Sequence, residues 1–102
     1  MKITEIMKSM ETCSEAGWFA FDFFLENGLT DEDILSLKPL GSFLYLAMLK
    51  VPFFKIEGDY FHIKGVKGEK HFRTAVHGEH LDFVDEVKRF IEAQEAGTGM
   101  KD

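Results

Sequence analysis

Apolar residues recur along this chain with two different periods, and the change of period divides it near residue 52. Close to the start, Ile3, Ile6, Met7 and Met10 fall at i, i+3, i+4 and i+7, with Glu5, Lys8 and Glu11 between them. That spacing predicts a short amphipathic helix over 3–11. Thr12-Cys13-Ser14-Glu15 has the form of a capping box and predicts a second helix over 13–26, stopped by Asn27-Gly28. Its run from Trp18 to Leu25 is apolar on nearly every side. As a helix it has to be sandwiched between other elements or to lie in a contact between subunits. Thr30-Asp31-Glu32-Asp33 repeats the capping pattern with acids in the first turn, predicting a helix over 31–37 closed by Pro39 and Gly41. Residues 42–50 read as a further helix with Ser42 as its N-cap, because Leu, Ala, Met and Lys favour helix and 43–50 holds no β-branched residue. A fourth strand over 43–49 is the alternative.

From Pro52 the period becomes two. Phe54 and Ile56 alternate with Lys55 and Glu57, and the pattern predicts antiparallel strands over 53–57, 60–64 and 69–76. Gly58-Asp59 and Gly65-Val66-Lys67-Gly68 are the expected turns. Turns so placed set Glu57 opposite Tyr60, Lys55 opposite His62, His62 opposite His71 and Tyr60 opposite Arg73. One face then carries Phe54, Ile56, Phe61, Ile63 and Phe72. The other carries Lys55, Glu57, Tyr60, His62, Lys64, Glu69, His71 and Arg73, the division a half-buried sheet requires. A last helix over 79–95 shows an inner stripe of Phe83, Val84, Val87, Phe90 and Ile91. The expected architecture is an α+β domain over 1–96: N-terminal helices, a three-stranded antiparallel meander, and a C-terminal helix packed on the sheet. Residues 97–102 read as a flexible tail.

Composition narrows the class. The chain's 102 residues fit one domain, and 45% hydrophobic with 29% charged residues is ordinary globular usage. Phenylalanine supplies 11 of the aromatic residues, so a small core can be built largely from its rings. A single cysteine, Cys13, excludes an intrachain disulfide, and without a nearby base it reads as a small buried hydrophobe. Glu5 stands where a signal peptide has its apolar run, and the longest apolar run, Phe43 to Leu49, is far shorter than a membrane span. The expected compartment is the cytoplasm, with no membrane partner.

The formal charge of −6 is unevenly spread. Residues 1–49 hold three Lys against eight acids, residues 50–77 six Lys or Arg against three acids, and residues 78–102 three against seven. The basic middle falls on the meander, while the whole chain's field opposes long-range steering toward nucleic acid.

Candidate chemistry concentrates on the polar sheet face. His62 and His71, side by side, form a weak candidate metal pair that Lys55, Lys64 and Arg73 would repel a cation from. Tyr60, His62, His71, Arg73 and Lys55 are the candidate binding residues for a small molecule or anion. The order of helix 31–37, turn, helix 42–50 and basic hairpin resembles a winged-helix DNA-binding domain, which would imply a nucleic-acid binder. The would-be recognition helix Phe43 to Leu49 has no Arg, Asn or Gln to read base edges, so nucleic acid is disfavoured. No cofactor is implied. Two functions are carried forward. The first is a non-enzymatic binding or assembly module that self-associates as a homodimer, or docks a protein partner, through Trp18, Phe21, Phe24 and Leu25. The alternative is a small enzyme or ligand carrier with an aromatic pocket between helices and sheet, rimmed by His62, His71, Tyr60 and Arg73.

Overall fold

A computed structural model describes residues 1–9 and 17–100. Its centre is a six-stranded antiparallel sheet, which replaces the expected three-stranded meander with N-terminal helices. The strands are β1 (Ile3–Lys8), β2 (Trp18–Leu25), β3 (Ser42–Leu46), β4 (Phe53–Glu57), β5 (Phe61–Val66) and β6 (His71–His77). They lie in the order β1-β2-β6-β5-β4-β3. Helix α1 (Asp31–Ser36) lies between β2 and β3 in the chain, and α2 (Asp82–Met100) follows β6. Single 3-10 turns cover Lys38–Leu40 and Gly78–His80. The capping box and Cys13, at 12–15, lie outside the described residues.

The helices expected over 3–11 and 13–26 are β1 and β2, and each has a physical reason for its misleading period. In β1 the register slips between Ile3 and Glu5, so Ile3 pairs with Leu25 while Ile6 pairs with Phe23. This bulge returns Ile3 and Ile6 to one face at a spacing of three, which imitates a helix. In β2, Phe19, Phe21, Phe23 and Leu25 share one face while Trp18, Ala20, Asp22 and Phe24 share the other. A strand apolar on both faces hides its alternation, and its aromatic richness is then the remaining strand signal. The helix expected over 42–50 is the edge strand β3, whose Phe43 and Tyr45 pack against the core while Leu44 points away. With that segment extended, the helix-turn-helix of a winged-helix domain is absent from 31–50.

Helix α1 begins at a capping box: the Asp33 N–H donates to Thr30 Oγ1 at 3.1 Å, and the Thr30 N–H donates to Asp33 Oδ2 at 3.0 Å. Its Ile34, with Leu37 beyond it, enters the core beneath the inner face of the sheet. There Phe23, Phe54, Ile56, Ile63, Phe72 and Val76 meet Val87 and Ile91 of α2. The Phe23 and Phe72 rings stack across β2 and β6 with centroids 4.9 Å apart. Gly65 sits inside this layer, and a Cβ there would lie 2.5 Å from the Phe54 ring. The expected 79–95 helix starts at Asp82, after the 3-10 turn, and runs past Gly97 to Met100, into the segment expected as a tail. Among the described residues no helix is long and apolar enough to cross a membrane.

Candidate functional site

The register brings Lys55, His62, His71 and Arg73 to the outer face of the sheet, opposite α1 and α2, but not as the expected turns arrange them, and Tyr60 lies in the bend between β4 and β5. Ile56 pairs with Ile63 and Glu57 with His62, two residues away from expectation. Ile63 pairs with Thr74 and His62 with Ala75, four residues away. Even slips preserve which face each residue takes, yet they separate His62 from His71 by four positions along neighbouring strands, about 13 Å. The histidine pair therefore does not form, and Tyr60 does not face Arg73. Among the described residues, no three His, Cys, Asp or Glu side chains converge on one point as a metal site requires.

Two other groupings appear instead. At one end of the sheet, Trp18 lies against His62 with centroids 4.8 Å apart, and near His77 at 5.8 Å. Tyr60 stacks on His80 at 3.9 Å and reaches Phe83 of α2 at 6.2 Å. Across the middle of the outer face, Lys55, Lys64 and Arg73 are successive cross-strand neighbours on β4, β5 and β6. Asp22 on β2 is the next neighbour, and its carboxylate accepts from Arg73 Nε at 3.1 Å. At the other end Glu57 lies 3.6 Å from Lys55. The row thus runs carboxylate, three cations, carboxylate, with Lys64 at its centre.

The interface residues expected from the all-round apolar reading divide between the two faces. Leu25 is buried in the core and Phe21 packs on its edge, while Trp18 and Phe24 lie on the outer face beside His62 and His71. They form no common surface. Nor do His62, His71 and Arg73 rim a pocket between helices and sheet, because they stand on the opposite side. A groove of about 430 Å³ does run beside α2, lined by Leu40, Phe61, Phe83, Val87 and Phe90, with Glu86 and Arg89 at its mouth.

The most exposed apolar surface lies elsewhere, on β3 and the turn that follows it. Leu44 is 44% exposed, Met48 79% and Val51 62%, with Leu49 close behind. β3 is an edge strand paired on one side with β4 alone. No protein-family model, curated protein or solved structure matches the chain.

The two edges of the sheet are built differently. β1 carries Glu5, Lys8 and a bulge, the devices that discourage a free edge from pairing with another chain. Residues 42–49 carry no charge and no proline, and the five residues of β3 pair with β4 without a slip. The inner side of β3 is held by a polar clasp. The Tyr45 hydroxyl donates to Asp31 Oδ1 of α1, and Lys67 Nζ in the β5–β6 turn lies 3.1 Å from Asp31 Oδ2. The Tyr45 hydrogen bond, and then Lys67, hold the Asp31 carboxyl below the usual carboxylate range. The same carboxylate raises the Tyr45 phenol above its ordinary value. This clasp ties α1, β3 and the β5–β6 turn together. The uncharged edge depends on strand order, which no local pattern encodes; the apolar run Phe43 to Leu49 was its available signal.

Proposed function

We propose that this chain is a non-enzymatic assembly module that pairs with a second copy of itself through the free edge of β3. The observation that carries the reading is the contrast between the guarded edge β1 and the uncharged, bulge-free edge β3 with its apolar tip. An edge strand presents unpaired N–H and C=O groups, and an antiparallel twin satisfies them. Such pairing is isologous, so a two-fold axis beside Leu44 closes the assembly at two copies. The same axis brings the exposed Leu44, Met48 and Leu49 of both copies onto one seam, where burial of apolar area supplies the driving force. Stacking two outer faces would instead set one row of cations against another, which disfavours face-to-face association. Asp31, Tyr45 and Lys67, like Asp22 and Arg73, engage one another in contacts that tie elements together, which supports a binding role over a catalytic one. The single cysteine fits a reducing compartment, and we place the assembly in the cytoplasm.

Sedimentation velocity over a wide concentration range tests the reading, with Leu44→Lys as the variant. Leu44 is exposed in the single chain, so the lysine is accommodated there, but two of them would face each other at the seam. The wild type is expected to dimerise, and Leu44→Lys to remain monomeric with a nearly unchanged unfolding midpoint. A wild type that stays monomeric at hundreds of micromolar, or a variant that dimerises undiminished, would refute pairing at β3.

A further inference from the structure

We infer that the outer sheet face holds a binding site, separate from the β3 edge, for a small organic anion with a flat apolar body. Its head, a carboxylate or phosphate, sits over Lys64 and Arg73, and its body lies on Phe53, Val66 and His71. Three observations converge on this site.

The first is the row of cations. Like charges directly opposite one another across strands are unfavourable, yet Lys55, Lys64 and Arg73 occupy three consecutive cross-strand positions. Glu57 and Asp22 relieve the two ends, whereas Lys64 has no carboxylate within ion-pair distance among the described residues. Among the described residues, Lys64 is therefore the cation of the row without a carboxylate beside it, and an anion above it meets cations on three strands at once.

The second is shape. Phe53, Lys64, Gly65, Val66, His71 and Arg73 line an open groove of about 430 Å³ on this face, within the range that accommodates a small molecule. Gly65 contributes only backbone to its floor, since a Cβ there would point inward to Phe54 and Phe72, which close the sheet behind it.

The third is polarity along the groove. Toward the β5–β6 turn the lining changes from Lys64 and Arg73 to Phe53, Val66 and His71, with Phe24 next to His71 at a ring separation of 6.2 Å. Glu69 stands at the turn end. Its carboxylate repels an anionic head there, so the ligand lies with its head at the lysine and arginine and its body toward the turn. Among the described residues, Lys55, Glu57 and Asp22 also face this surface, already paired, and Glu5 of β1 stands on it opposite Phe24. The acidic segments on either side of the basic middle, within a chain of net charge −6, oppose a long polyanion far more than a molecule with one or two charges. A small ligand is thus favoured over a nucleic-acid strand.

The test is titration of the full wild-type chain with phenyl phosphate at low salt, followed by amide chemical shifts, with inorganic phosphate and phenol titrated separately. Phenyl phosphate is expected to bind saturably, more tightly than either fragment, with shifts concentrated at residues 53–55, 64–66 and 71–73. Lys64→Gln should weaken it about fivefold, the effect of one exposed charge at contact distance. Lys64→Arg should restore it, and since Lys64 is exposed neither change disturbs the core. Binding unaffected by Lys64→Gln, shifts centred on another surface, or no saturation would overturn the site. A twelve-residue oligothymidylate that binds more tightly than phenyl phosphate, with the same Lys64 dependence, would overturn the small-molecule class. Because Lys64 lies two strands from the β3 edge, Lys64→Gln leaves sedimentation unchanged, and the two proposals fail independently.

Discussion

Thr74 is expected to be a position where the native residue is not the most stable one. It lies at the middle of β6 between Phe21 and Ile63, on the inner face, with 0% of its surface exposed. Among the described residues its hydroxyl has no hydrogen-bond partner. A buried hydroxyl stripped of water and left unpaired costs about 1–3 kcal/mol. Thr74→Val keeps the branched shape that suits a strand and replaces that hydroxyl with a methyl group, whose burial adds about 0.8 kcal/mol. Part of the gain is lost if neighbours must shift for the slightly larger group, so the expected net stabilisation is about 1–2 kcal/mol. For a chain of this size that raises the thermal midpoint by about 4–8 °C per kcal/mol. Thr74→Ser keeps the hydroxyl and removes the methyl, and is expected to lose about 1 kcal/mol. Urea unfolding followed by far-ultraviolet circular dichroism, at one fixed protomer concentration, ranks the three proteins. The order valine, threonine, serine is required. A valine variant less stable than wild type would mean that the Thr74 hydroxyl is satisfied and that its burial costs little.

Gly65→Ala should destabilise by about 1–3 kcal/mol, because the new methyl meets the Phe54 ring and the Phe72 Cβ at once; an unchanged urea midpoint would show that the ring can yield. The Asp31–Tyr45 contact predicts loss of stability at both ends of the pH scale. Asp31 is held below its unfolded value, so its contribution is full above about pH 4 and fades as pH falls through the lowered folded value. Tyr45 is held above its unfolded value, so its contribution is full below about pH 10 and fades as pH rises through the raised folded value. Urea midpoints across pH for wild type and Asp31→Asn should therefore differ most near neutrality and draw together at either extreme; a constant difference would rule out the linkage.

How much of this was readable from the chain depends on whether a feature is local. The division of β4, β5 and β6 into a Phe54, Ile56, Phe61, Ile63, Phe72 face and a charged face follows from alternation alone, and those five residues are buried. It survives register slips of two and four because both are even. The slips themselves arise at turns: Gly58 donates to Phe61, so Asp59 and Tyr60 form the bend, and the β5–β6 connection lies at 67–70. Every cross-strand assignment, and with it the His62–His71 pair, depended on those turns. The N-terminal half was misleading for different reasons. A bulge gave β1 a helical spacing, and β2 is apolar on both faces, Phe19, Phe21, Phe23 and Leu25 on one and Trp18, Ala20 and Phe24 on the other, so it shows no alternation. The cation row and the free edge are products of strand order and register together. Lys55, Lys64 and Arg73 were each evident as basic residues, but nothing local aligned them.

The proposed dimer carries a charge signature that separates edge pairing from association by complementary charge. Two sheets joined edge to edge place their centres about six strand spacings apart, or about 29 Å. Treated as its formal charge of −6, each chain then repels the other by about 5 kcal/mol in unscreened water. At an ionic strength of 0.15 M the Debye length is about 8 Å and this repulsion almost vanishes, whereas at 0.01 M it is about 30 Å and about 2 kcal/mol survives. Lowering the salt between these limits should therefore weaken the dimer about twentyfold, while the apolar seam around Leu44 is little affected. Binding of phenyl phosphate to the cation row should move in the opposite direction and tighten as salt is removed. If the dimer also tightens at low salt, the seam joins unlike charges. The acidic stretches of one copy would then lie against Lys55, Lys64 and Arg73 of the other, and the free edge of β3 would have no part in holding the copies together.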